Sequence, residues 1–196
     1  AFIGPKARIT TLGGTTLVQA DSASTAHATA EGGAGGLAAV AIFNAIANVG
    51  TATNAAATQA FVDEGSQITT RGLAIDASGK GEATSVMTTV GVGLVGVAAG
   101  KAESNLNSEV SAYLGPRATA TLPLAQRTTV NATGTVSVDA TSSQFAKSNA
   151  VGGGGGGAGI ADAQSIAKVT GATLAQVGND VNIVGANNLA VRAEST

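Results

Sequence analysis

Residues 73–78, Leu-Ala-Ile-Asp-Ala-Ser, decide the fold because near-copies of them recur along the chain. The copies are residues 16–21 (Thr-Leu-Val-Gln-Ala-Asp), 136–141 (Val-Ser-Val-Asp-Ala-Thr) and 189–194 (Leu-Ala-Val-Arg-Ala-Glu). Their shared alanines, at positions 20, 77, 140 and 193, are 57, 63 and 53 residues apart. A repeat of this length indicates one structural unit per repeat, so it outweighs local propensity in predicting the fold.

Each repeat opens with two short predicted strands. Apolar residues at 73, 75 and 77 alternate with other residues at 74, 76 and 78, which is the period of a strand with one buried face. A second motif precedes this strand, at residues 1–9, 60–68 and 112–120, with a weaker fourth copy at 172–174. Phe2, Phe61 and Tyr113, three of the five aromatic residues, share one position in it. The Gly-Pro pairs at 4–5 and 115–116 predict a turn that splits the motif into two strands.

The second half of each repeat predicts a strand, a glycine-rich turn and a longer strand of small residues. In the first repeat these are residues 24–30, 32–36 and 37–47. Equivalent stretches are residues 82–90 and 91–99 in the second repeat, and 144–151, 152–157 and 158–169 in the third.

Two helical interpretations compete with the strands. Uncharged residues 33–50 and 84–100 resemble membrane spans, but their Gly, Thr and Asn content is unlike the ~20 strongly apolar residues that a span needs. Residues 37–49 fit a buried amphipathic helix, since alanine is the best helix former. The equivalent residues 91–100 contain four glycines, each costing a helix roughly 1 kcal/mol, so we favour strands at both positions.

Composition limits the class of protein. Aromatic residues make up 3% and charged residues 11% of the 196 residues, and 28 are glycine, so the core must be built from small aliphatic side chains in closely spaced layers. The net charge of -2 and the scattered basic residues give no footprint for nucleic acid. No cysteine is present, which excludes disulfides and thiolate chemistry.

These patterns predict an all-β fold, a β-solenoid of about three and a half repeats of roughly 52–63 residues. We expect one continuous domain, residues 1–196, with units at 1–59, 60–111, 112–171 and 172–196, and we expect it to be a fragment of a longer repetitive chain. A β-sandwich is the alternative fold, although it would not require similar units.

The combined motifs resemble the repeat regions of very large bacterial filamentous surface exoproteins, the family of leukotoxin-like filamentous adhesins. Residues 1–4, 112–115, 136–140 and 32–36 carry the resemblance, whereas Asp63 and Glu64 replace the Gly-Pro pair in the second repeat. The resemblance implies a secreted, elongated β-solenoid shaft at the cell surface. It implies no catalytic residue.

Each polar feature favours a structural interpretation. His27 lacks the partners of a zinc site, and Asp76 and Asp139 are interpreted as solvated charges rather than calcium ligands. Asp63 and Glu64 are neighbours whose side chains would point to opposite faces of a strand, unlike paired glycosidase carboxylates. The glycines at 152–157 are not followed by the Lys and Ser or Thr of a phosphate-binding loop. We therefore predict no catalytic, metal or cofactor-binding residue, no cofactor and no enzymatic activity.

Three functional hypotheses follow from the sequence. The first is a structural shaft segment of a secreted or cell-surface adhesin, whose partners are neighbouring repeats and whose other domains contact a host or neighbouring cell. The second is a self-assembling extracellular fibre or sheath subunit, with identical chains stacked end to end. The third is a glycan-binding or polysaccharide-active β-helix, which predicts a saturable glycan signal lost on mutating Asp63 and Glu64. None involves nucleic acid or membrane insertion by this segment.

Overall fold

The computed structural model describes residues 1–116 and 127–196. Within these residues the chain forms eight β-strands and no helix. Three strands are long: β2 (Arg8–Val49), β4 (Gln67–Leu114) and β6 (Thr135–Val177). The short strands are β1 (Phe2–Ile3), β3 (Ala56–Val62), β5 (Thr128–Ala132), β7 (Val181–Val184) and β8 (Asn188–Ser195).

All pairings between the described strands are parallel, and they join the eight strands into one sheet. β4 lies in the middle, between β2 and β6, and β8 covers the start of β6. The predicted all-β class is therefore confirmed. The antiparallel pairing of a β-sandwich is not found here.

Strands replace both helical alternatives. Residues 37–49 lie in β2, and residues 84–100 lie in β4, so equivalent positions of the repeat share one structure. None of the residues that the structure describes belongs to a helix that could cross a membrane.

The register confirms the main repeat. Ala20 pairs with Ala77, Ala77 with Ala140, and Ala140 with Ala193, so the four near-copies lie side by side. In the copy at 73–78, Leu73, Ile75 and Ala77 are buried, as the alternation predicts. The three equivalent aromatics also stack. Ring centroids are 5.2 Å apart between Phe2 and Phe61 and 4.6 Å apart between Phe61 and Tyr113, with the rings nearly parallel.

Two details of the predicted second motif differ from the structure. The weak fourth copy at 172–174 is out of register, because Ala112 pairs with Ala175 rather than Ala172. In the third copy, Ile68 pairs with Val130 instead of Ala120, since the chain from Leu114 to Thr128 is longer than the turn from Val62 to Gln67. The predicted second strand of that copy, at residues 117–120, lies outside the described residues.

Each long strand folds back on itself at a glycine. Gly36, Gly93 and Gly156 are paired across β2, β4 and β6, and we call them the apex glycines. The residues before each apex glycine form a first arm, and those after it form a second arm. The Ser104 hydroxyl of the second arm donates to the Ser85 hydroxyl of the first arm of the same strand, at 2.8 Å, so the two arms face each other. Parallel pairing continues through the apex because all three strands fold at the same place.

The interior between the arms narrows towards the apex. Far from it, large side chains such as Ile68, Ile75 and Leu114 form the main hydrophobic cluster. Nearer the apex, smaller clusters form around Met87 and Leu106. Close to the apex the arms approach so closely that a Cβ on Gly91 would lie 2.6 Å from the Val97 carbonyl oxygen, and one on Gly96 would lie 2.7 Å from the Gly155 carbonyl oxygen. Backbone contact between the arms therefore requires glycine at these two inward-facing positions of β4.

Candidate functional site

The aspartates at the shared repeat position form a row on the outer face of the first arms. Asp76 pairs with Asp139, and the neighbouring strands place Gln19 and Arg192 at the two ends of this row. Partial burial, and then the charges of Asp139 and Asp21, raise the pKa of Asp76 above its usual value of 3.8. Among residues 1–116 and 127–196, no group of three or more His, Cys, Asp or Glu side chains is placed to hold a metal ion. The row is an electrostatic feature of the surface without the compact oxygen cage that calcium prefers.

Asp63 and Glu64 lie in the turn between β3 and β4, at the positions of Gly4 and Pro5 in the first repeat. The Asp63 carboxylate accepts a hydrogen bond from the Glu64 backbone N–H at 2.8 Å, and the Glu64 carbonyl accepts one from the Lys6 N–H at 2.9 Å. The next residues in the two turns, Lys6 and Gly65, have φ values of 58° and 68°. The turn therefore keeps its shape without Gly-Pro, and the acidic pair contributes to that turn.

His27 lies on the exposed outer face of β2, where its Nε2 is 3.1 Å from the Thr29 hydroxyl. Its paired neighbour in β4 is Thr84, which pairs in turn with Lys147. His27 is therefore one residue of a polar outer strand face. The glycines at 152–157 lie at the apex of β6, where residues 152–156 pair with β4, so they belong to a strand rather than to a loop around a phosphate.

A groove of about 350 Å³ lies beside residues 50–55, which connect β2 to β3. β4 runs straight past this position, with only Asn107 between the residues paired to Val49 and Ala56. The connection therefore bulges outward over the second arms. The Asn107 side chain donates to the Thr51 carbonyl at 2.6 Å and fixes the connection in place.

The polar side chains of this groove largely satisfy one another. Asn105 donates to the Asn48 side-chain oxygen at 3.0 Å and to the Glu103 carboxylate at 2.8 Å. Hydrogen bonds from Lys101 and Asn105 lower the pKa of Glu103. The groove holds no nucleophile beside a general base, so its geometry supports no specific reaction.

One buried charge was not identified from the sequence. Asp180, which is 3% exposed, lies just before β7, and its Oδ1 is 3.5 Å from the Arg127 Nε. The Thr128 backbone N–H donates to the Asp180 carbonyl at 3.1 Å, so this residue also joins the ladder. A lone acidic residue in a polar stretch gives no signal of burial in the sequence. We interpret the ion pair as structural, because Arg127 directly precedes β5 and Asp180 directly precedes β7, the strand that pairs with β5.

Side chains that meet across the interior change together from strand to strand. Ser22 hydrogen-bonds Thr58 at one such position, and in β6 the Ser142 and Thr173 hydroxyls form the equivalent bond at 2.7 Å. In β4 the same two positions hold Gly79 and Val110, and a Cβ on Gly79 would overlap the Val110 side chain. A polar pair is thus exchanged for a small and large apolar pair. This matching indicates an interior that maintains packing and hydrogen bonding, including a chain of hydroxyls in which Ser104 donates to Ser85 and Ser85 donates to Ser148 of the adjacent strand.

The outer edges of β2 and β6 are a further surface at which the chain could bind another strand. Among the described residues β2 pairs only with β4, and β6 beyond Ser142 also pairs only with β4. Both strands therefore carry rows of backbone N–H and C=O groups without a strand partner. Such edges are templates for another strand.

Within the described residues, the ladder, its matched interior and the outer edges of β2 and β6 are the candidate functional features. No family model matches the chain, and neither the curated proteins nor the solved structures include a significant match to it.

Proposed function

We propose that the chain is a β-solenoid segment that acts as a structural shaft of a secreted, cell-surface filamentous protein. The observation that supports this proposal is the in-register parallel ladder, in which copies of one repeat lie side by side across β2, β4 and β6. In a solenoid each circuit completes the buried face of the next, so the backbone hydrogen bonds run along the long axis. The inward side chains then pack and hydrogen-bond the interior, as the matched Ser22–Thr58 and Gly79–Val110 pairs do.

The ladder is suited to bearing load. About forty residue pairs join β4 to β6, so a force along the stacking axis is shared over many hydrogen bonds at once. The first arm of β4, residues 67–92, is roughly 85 Å long at ~3.3 Å per residue, whereas each circuit adds only ~4.8 Å along the axis. The segment is therefore wide for its length. We propose that it supplies lateral stiffness to the shaft.

Electron microscopy and fibre diffraction of the natural full-length polypeptide test this proposal. We expect stiff, thin rods or ribbons in negative stain, and a meridional reflection near 4.8 Å from aligned samples, because the strands stack along the axis. Compact particles with no long dimension, or a strand spacing perpendicular to the long axis, would contradict a shaft role.

A self-assembling fibre subunit is the second candidate, and the outer edges of β2 and β6, which no strand among the described residues covers, are the observation that favours it. In this alternative, separate chains add edge to edge and the assembly grows with concentration. Sedimentation of the chain over a concentration series distinguishes the two functions. Open-ended polymers support the fibre subunit, whereas a discrete species supports a segment whose axial neighbours belong to the same polypeptide.

A further inference from the structure

The apex of the folded strands is free of charge in all three repeats. Residues 32–62, 83–100 and 148–161 contain no Asp, Glu, Lys, Arg or His. These segments include all three apex glycines and the residues that flank them. Among the described residues, the charged side chains therefore lie outside these three segments.

Large apolar side chains are exposed at this charge-free apex. Leu37 is 84% exposed and Leu94 is 66% exposed, and each directly follows an apex glycine. On the outer face of the second arms, Val40, Ile42, Val95 and Ile160 are also exposed. Val40 and Ile160 both pair with Val97, and Val95 pairs with Ala38, so the side chains form one continuous surface. We call these six residues the apolar tip.

The protein's own interior cannot accommodate the apolar tip. Just behind it the two arms are in backbone contact at Gly91, Gly96 and Gly155, and the β2 position that pairs with Gly96 holds only the small Ala39, so a large side chain has no space between the arms. Alternation along the strands then requires neighbouring residues to point outwards. These side chains remain exposed unless another molecule covers them.

The size and chemistry of the apolar tip fit a second copy of the chain, and we propose that two copies pair through it. The six side chains expose roughly 600 Å² in total, comparable with the ~600–1,000 Å² that each partner contributes to a stable interface. Homodimer interfaces are more apolar than those between different proteins, and a two-fold contact needs only one self-complementary patch.

Sedimentation velocity tests the pairing, with wild type, a Leu37→Glu/Leu94→Glu variant and a Leu12→Glu control. Leu12 is 86% exposed and lies far from the apex in sequence, so the control adds the same charge at a similarly exposed leucine. We expect a monomer–dimer equilibrium for wild type and the control, and at least a tenfold larger dissociation constant for the tip variant. Circular dichroism confirms that each variant keeps its strands.

A covalent trap gives a second readout that does not depend on a destabilising charge. The chain contains no cysteine, so Leu94→Cys and Leu12→Cys each introduce a single thiol. A short bismaleimide should link the former into dimers and leave the latter monomeric.

Three results would overturn the inference. The first is a wild type that stays monomeric at every concentration. The second is polymers larger than a dimer that persist in the tip variant, which would assign association to the strand edges. The third is flotation of wild type, but not of the tip variant, with neutral phosphatidylcholine vesicles, which would assign the tip to lipid.

Discussion

Substitutions within the run of glycines at 152–157 should differ sharply in their effect on stability. Gly156 has a φ of 126°, and a Cβ there would overlap the Gly93 carbonyl oxygen of the adjacent strand. At Gly155, one residue earlier, a Cβ would meet only the Val92 side chain, at 3.9 Å. Both residues are glycines of the same run in β6, and both pair with residues of β4, so alanine substitutions at them form a matched comparison.

The expected cost of Gly156→Ala has two parts. A side chain in this backbone region costs about 1–3 kcal/mol. Displacing the neighbouring backbone to relieve the overlap costs about 1–3 kcal/mol more. We therefore expect a loss of roughly 4 kcal/mol in the free energy of unfolding. Gly155→Ala should be neutral or stabilising by up to about 1 kcal/mol, because it reduces the entropy of the unfolded chain at no steric cost.

Thermal and urea unfolding, followed by far-ultraviolet circular dichroism, measure this difference. For a chain of this length 1 kcal/mol corresponds to roughly 2–4 °C, so Gly156→Ala should lower the midpoint by roughly 8–16 °C. Gly153→Ala provides a second control, since its Cβ would lie 3.9 Å from the Val90 side chain. Equal midpoints for the three variants would refute the apex geometry, because a flexible glycine loop would tolerate alanine at every position.

Three further predictions follow from the interior, the acidic row and the aromatic stack. Thr58→Val removes the hydroxyl that pairs with Ser22 and should cost about 1 kcal/mol, and adding Ser22→Gly, as in the middle strand, should recover part of that loss in urea unfolding. Asp76→Asn should raise the unfolding midpoint at neutral pH, and this effect should shrink as the pH falls through the raised pKa of Asp76 and be absent below 3.8. The raised pKa of the Asp76 carboxyl means that the folded state binds this proton more tightly than the unfolded state does, so ionisation of Asp76 at higher pH destabilises the fold. Phe61→Leu should cost about 1–3 kcal/mol, because two stacking contacts of about 0.5–1.5 kcal/mol each are lost.

Each of these predictions has a control. Additive effects of Thr58→Val and Ser22→Gly in a double-mutant cycle would show that the two residues do not interact. Asp162→Asn, the same substitution at an exposed site on a second arm, is the control for Asp76→Asn. Phe145, which is 52% exposed, makes no ring contact with the stacked aromatics, and Phe145→Leu should leave stability within ~0.5 kcal/mol. A loss equal to that of Phe61→Leu would count against the stack.

The repeat made the strand class and the main register predictable from the sequence. Equivalent positions carry similar side chains, and in-register stacking lets like pack against like, so Ala20, Ala77, Ala140 and Ala193 had to align. The same reasoning failed at residues 172–174 because a match of only three residues, Ala-Thr-Leu, fits many registers equally well. The third copy was misaligned because Gly115 and Pro116 mark a turn without fixing the length of chain that follows it.

The candidate site was less predictable. That no residue is catalytic or binds a metal or cofactor remains a prediction, and so do secretion and a place at the cell surface. Burial of Asp180, and the groove fixed by Asn107, depend on contacts that residue type does not reveal. The exposure of Leu37 to solvent could not be predicted either, since an apolar residue in an apolar run is normally expected to be buried.

The sequence alone determined the strands, their period and the alignment of successive repeats, because these depend on residue type and spacing along one chain. The tertiary structure decided which residues meet across the interior. That pairing depends on where each strand folds back, and the apex glycines settle it through backbone contact between neighbouring strands. It explains why Ser22 requires Thr58 while Gly79 requires Val110. It also explains why the apolar side chains at the apex point outwards, since the arms behind them touch and leave no interior to fill.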